Sequence, residues 1–106
     1  MTMLRPEPPA TNHQPPGTAF LRLLVRNHAG VMSHICGLFA RRSFNLDAIV
    51  CLPVGDRSRS AILLAVADDE RLEQLMRQLR KLEDVIEVNE TREAGAAFSA
   101  VSAWVS

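Results

Sequence analysis

The 106-residue chain has no tyrosine, one tryptophan and four phenylalanines. A surface that stacks single-stranded bases needs aromatic side chains on its platform, and the two central strand-like stretches, "AFLRLLVR" and "AILLAVA", offer only Phe20. An excess of one charge is missing too. Twelve basic and twelve acidic residues cancel, so the whole-molecule field draws the chain to neither a polyanion nor an anionic membrane. Arg41, Arg42, Arg57 and Arg59 make at most a small patch, and no apolar run reaches membrane-spanning length. Nucleic-acid and membrane partners are therefore not expected.

Chemistry-bearing motifs are equally sparse. Neither GxGxxG nor GxxxxGK[ST] is present, and no Ser/His/Asp or Cys/His arrangement can be argued. His28 and His34 are six residues apart, so on a helix they point to different faces, and with Cys36 they do not form a zinc signature. His34 is expected to face solvent. The acidic clusters Asp68 to Glu70 and Glu83, Asp84 sit at helix ends, where dipole complementation or solvation accounts for them. Cys36 and Cys51 belong to no ligand-spaced motif, which fits a reduced, cytoplasmic chain, and Cys51 is expected to be inert packing. The isolated chain is expected to turn over no substrate and to hold no metal.

What is there is patterned. Residues 1–17 carry five of the six prolines and no signal or transit composition, so an extended, disordered Pro-rich leader is expected. From Thr18, "AFLRLLVR" places Leu21, Leu23 and Val25 on one face of a strand and Arg22 and Arg26 on the other. "GVMSHICGLFARRS" sets Val31, Ile35, Leu38 and Phe39 on one stripe of a helix that ends in Arg41 and Arg42. "LDAIVCLP" alternates Leu46, Ala48, Val50 and Leu52 against Asp47, Ile49 and Cys51, and a turn-rich "PVGDRSRS" joins it to "AILLAVA". Leu72, Leu75, Met76, Leu79 and Leu82 predict a second helix, and "VIEVNE" a fourth strand with Ile86 and Val88 inward.

The order βαββαβ predicts a ferredoxin-like α+β domain, a four-stranded antiparallel sheet with both helices on one face. Strand order 4-1-3-2 puts the second strand at an edge. That edge is apolar apart from Asp47, and an uncovered edge invites another chain. A homodimer through strand 2 and helix 1 is expected.

The loop from Asn27 to Gly30 has two readings. Asn and Gly before a helix are ordinary capping and turn residues. Alternatively, the free amides of the first helical turn receive a carboxylate, Gly30 lets it approach, and Asn27 caps the helix. Asn45 would then suit an ammonium group, and Val31, Met32, Leu46 and Ala48 an aliphatic side chain. A free amino acid fits this set better than a phosphate does.

The stretches "LLVRNHAGVMSHICGLFARRSFNLDAIVCLPVGD" and "DDERLEQLMRQLRKLEDVIEV" closely resemble the small regulatory subunits of bacterial acetohydroxyacid synthase (acetolactate synthase), particularly the short isozyme I type. The resemblance covers about residues 19–90. It implies an ACT domain over residues 18–92, paired side by side as a dimer with L-valine at the interface. It implies further that Asn27, His28, Ala29, Gly30, Val31 and Met32 supply one half of the effector site and Asn45 and Leu46 the other half, from the partner. The family often has Pro where this chain has Ala29, which leaves the loop less restrained.

Residues 93–106 are expected to be a small-residue tail that either docks on the catalytic subunit through its aromatics or is a loosely ordered terminus. In the family the large catalytic subunit carries thiamine diphosphate, magnesium and FAD, and no cofactor is expected on the small one. The implied role is activation of that subunit and feedback inhibition by valine, in branched-chain amino acid biosynthesis. An amino-acid-sensing ACT module serving a different enzyme or a transporter is the alternative.

Overall fold

A computed structural model describes residues 17–27 and 30–106. Strand β1 (Thr18–Arg26) leads to helix α1 (Val31–Arg42), then to strands β2 (Leu46–Val54) and β3 (Arg59–Ala67), helix α2 (Leu72–Arg80), strand β4 (Val85–Glu90) and helix α3 (Ala94–Val105). The sheet order is β2-β3-β1-β4 and every pair is antiparallel. This is the expected ferredoxin-like arrangement. The leader lies outside the described residues except for Gly17, whose carbonyl accepts the Asp68 amide.

The period-two pattern of β1 does what it predicts. Leu21, Leu23 and Val25 are fully buried beneath α1 and α2, together with Ile62 and Leu64 of β3, and Arg22 and Arg26 are exposed. Val31, Ile35, Leu38 and Phe39 of α1, and Leu75 and Leu79 of α2, close this core from above. Burying each large aliphatic side chain contributes about 1.5–3 kcal/mol against the entropy of ordering it.

Two bulges correct the expected faces. Between β2 and β3 the register runs Leu46 to Val66 and then Ala48 to Ala65, so Asp47 is an extra residue. A one-residue insertion flips the side chains that follow it. Leu46 therefore joins Ile49 against the helical core, while Ala48 packs on the opposite face. The second bulge makes Ile86 the extra residue of β4, between the pairs Leu24 to Glu87 and Val25 to Val85. Val85 takes the inward position beside Val88, and Ile86, expected inside, is exposed. Cys51, expected as inert packing, is exposed as well, because it lies on an edge strand.

The largest departure is α3. The expected tail is a twelve-residue helix on the sheet face opposite α1 and α2, so only two of the three helices share a face. Phe98 stacks on Phe20 with ring centroids 5.4 Å apart and planes 20° from parallel. Gly95 lets the helix come this close, since a Cβ there would lie 3.2 Å from the Phe20 ring. The one aromatic side chain of the central strands is thus occupied from within. No helix among the described residues is long and apolar enough to cross a membrane.

Candidate effector site

Among the described residues no side chain caps the start of helix α1. Gly30 is its N-cap residue, in a left-handed conformation at φ 98° that an L residue adopts only with strain. The His34 amide donates to the Gly30 carbonyl at 2.9 Å as the first helical bond, so the amides of Val31, Met32 and Ser33 have no acceptor within the helix. There is no acidic residue in the first turn, and the positive end of the dipole is uncompensated. Among the described residues, a Cβ at Gly30 would meet nothing within 4 Å. The helix start is open to a carboxylate.

Asn27 does not cap α1. Its Nδ2 donates to the Arg57 carbonyl at 2.8 Å, and its backbone amide to the Ser58 carbonyl at 3.0 Å. The end of β1 is thereby clasped to the β2–β3 turn, where Arg57 has φ 76° and the Asp56 Oδ1 accepts the Ser58 amide at 2.9 Å. The Ser58 hydroxyl, and after it that amide, holds the Asp56 carboxyl below its ordinary value. Gly30 takes the cap position instead because a left-handed residue can turn the chain into the helix without any side chain.

The clasp has a discriminating test. Asn27→Ala removes a side-chain hydrogen bond and is expected to cost about 1 kcal/mol in urea unfolding. Asn27→Asp keeps a side-chain oxygen of the kind that caps helices but cannot donate to Arg57, so it should destabilise at least as much. Wild-type stability in Asn27→Asp would show that the side chain caps the helix after all.

The remaining predicted residues divide between two places. Val31 is buried in the core and offers only its backbone amide, while Met32 is half-buried beside it. His28 and Ala29 lie outside the described residues. His34 is exposed as expected, with its Nδ1 3.6 Å from the Asp84 carboxylate. Asn45 and Leu46 stand beyond the other end of α1. The Asn45 Nδ2 donates to the Asp47 Oδ1 at 2.8 Å, so the bulge residue orients the amide. Nearby, a cavity of about 80 Å³ is lined by Phe44, Asn45 and Arg71 among others, with the Arg71 guanidinium 4.3 Å from the centre of the Phe44 ring. Ala48, expected beside Leu46, is on the other side of the sheet.

A helix of twelve residues is about 18 Å long, so one protomer holds Gly30 and Asn45 too far apart for a single amino acid to touch both. The family resemblance pairs them through a second copy, and the length of α1 excludes a shared site within one protomer. Arg57 and Ser58, the anchors of the clasp, were not anticipated. The only signal for them was the turn composition of "GDRS".

The sheet order, the two helices on its inner face and the uncapped helix start define an ACT domain, and comparison with known proteins narrows the class. The family described as the AHAS small subunit-like ACT domain matches residues 21–87. The acetolactate synthase isozyme 1 small subunit of Escherichia coli K12 is 50% identical over 84 residues, covering 79% of this chain and 88% of that protein. The acetolactate synthase small subunit of Haemophilus influenzae is 39% identical over 69 residues, 64% of this chain and 42% of that one. The crystal structure of the Thermotoga maritima small subunit superposes with a TM-score of 0.64 at 32% identity, covering 69% of this chain and 46% of that one.

The chain belongs to the acetolactate synthase small-subunit family. It is a non-catalytic regulatory subunit.

Proposed function

We propose that the chain forms a homodimer through β2 and α1, binds the thiamine-dependent catalytic subunit of acetolactate synthase, raises its activity, and confers inhibition by L-valine in the cytoplasm. The single observation that carries the effector reading is the open helix start at Gly30. There the valine carboxylate accepts from the amides of Val31, Met32 and Ser33. Asn27 Oδ1 and the Asn45 amide of the second copy flank the ammonium group, and Met32 with the second copy's Leu46 receives the isopropyl group. The family resemblance assigns His28 and Ala29 to the same half-site. Thiamine diphosphate, magnesium and FAD belong to the catalytic subunit, and no cofactor is assigned to this chain.

The two sheet edges support pairing through β2. Edge β4 is six residues long, bent by the Ile86 bulge, and its Val88 carbonyl is taken by the Arg80 Nη2 at 3.2 Å. Such features discourage strand addition. Edge β2 is nine residues long, with Asp47 as its only charge. In β2 the bulge at Asp47 and Pro53 lie toward the two ends, and the uncharged run of residues 48–52 between them is left to pair.

Inhibition requires valine to bind the inhibited arrangement of the complex more tightly than the active one, because a ligand shifts an equilibrium only by its differential affinity. The test is to assay acetolactate formation by the catalytic subunit with and without this chain, and with and without valine. Added chain should raise the rate, and valine should lower it only when the chain is present. An unchanged rate in both arms would overturn the proposal.

A further inference from the structure

Helix α3 carries an apolar stripe at positions 94, 98, 101 and 105, spaced by 4, 3 and 4 residues, which is one helical face. Burial is lost along that single face. Ala94 is 7% exposed, Phe98 is half-buried on Phe20, Val101 is 51% exposed and Val105 68%. Support beneath that face is lost toward the C-terminal end of the helix. The chain's one tryptophan, Trp104, borders the unsupported part and is 86% exposed.

The direction of the overhang follows from what the helix passes. It begins over Phe20 in β1, and a cleft of about 290 Å³ further along is lined by Ser99 and Ser102 on the helix and by Asp47 and Ala48 where β2 enters the sheet. The helix therefore runs from β1 toward the corner of the free edge, with its exposed last turn beyond the cleft. On the same outer face β2 exposes Leu52, at the far end of the strand. Pairing the regular run of residues 48–52 of two β2 strands about a two-fold axis at Val50 sets Ala48 of one copy beside Leu52 of the other. Both overhang and uncovered leucine are exposed in one chain and adjacent in the pair.

We infer that the last turn of α3 is a strap that crosses the β2–β2 seam of a homodimer, so that Val101, Trp104 and Val105 cover Leu52 of the second copy. The inference rests on the β2 pairing proposed above and adds a second, side-chain layer to it on the face away from the effector site. Two copies related by a two-fold axis make the contact twice.

Trp104 reports on the contact without any label. Full-length chain is followed over a concentration series by sedimentation velocity and by tryptophan emission with acrylamide quenching. Dimer formation should be accompanied by a blue shift and loss of quenching. Trp104→Ser and Leu52→Ser, both at exposed positions, should each raise the dimer dissociation constant by about tenfold, and the double variant should be little worse than either, because the partners are shared.

A dimer whose tryptophan stays quenchable, or whose dissociation constant ignores both substitutions, overturns the strap and leaves the β2 pairing standing. A chain that stays monomeric throughout overturns both. Burial of Trp104 only on addition of the catalytic subunit assigns the turn to that partner instead and also overturns the strap.

Discussion

Gly30→Asp is expected to abolish valine inhibition while leaving activation of the catalytic subunit intact. Gly30 stands at the uncapped start of α1 with open space around the position a Cβ would take. An aspartate there brings its own carboxylate to the amides of the first turn and repels that of the ligand. Replacing a charge-assisted set of hydrogen bonds by repulsion costs about 3 kcal/mol or more, roughly a hundredfold in valine affinity. Strain must be separated from charge, because φ 98° disfavours any side chain. Gly30→Ala carries about 1–2 kcal/mol of backbone strain without the charge, and Gly30→Asn tolerates the left-handed region better. Isothermal titration of the three variants should rank valine affinity with aspartate far below the other two. Equal losses in all three would mean that the loop's conformation, and not its anion site, had been disturbed.

A mixture of two inactive variants should recover valine binding. Asn45→His changes both the size and the donor pattern of the second half-site, so Gly30→Asp and Asn45→His homodimers are each expected to be insensitive to valine. If every site takes its Gly30 half from one chain and its Asn45 half from the other, the mixed dimer contains one site with both defects and one with neither. Random exchange of equal amounts then restores about one site in four. Titration calorimetry of the unfolded and refolded mixture, compared with each variant alone, reads that fraction. A mixture as silent as its components would place Gly30 and Asn45 in the same site of one chain, or Asn45 outside the site altogether.

Much of this architecture was readable because the patterns were clean. Leu21, Leu23 and Val25 could face only one way on a strand flanked by arginines, and Val31, Ile35, Leu38 and Phe39 only one way on a helix. The family resemblance supplied the pairing of Gly30 with Asn45, which no periodicity contains. Bulges were invisible for a physical reason: alternation assumes an unbroken two-residue period, and a single inserted residue, Asp47 or Ile86, shifts the phase without altering composition. Asn27 was misread because an asparagine before a helix suits a cap and a turn clasp equally well; only the long-range partner Arg57 decides between them. In α3 the stripe through Ala94, Phe98, Val101 and Val105 was present, but two of its four members are small or terminal, and no capping residue marked its start.

The separation of Gly30 and Asn45 by the full length of α1 also affects when the subunit can sense anything. Under the proposed pairing the receptor is divided between two copies and does not exist in a lone chain, so occupancy would depend on how much of the subunit a cell contains as well as on how much effector is present. Effector binding and chain association then reinforce one another by mass action: valine should tighten the dimer, and dilution should blunt the response. Scarcity of the regulatory chain would release the pathway from its end product even when that product is plentiful.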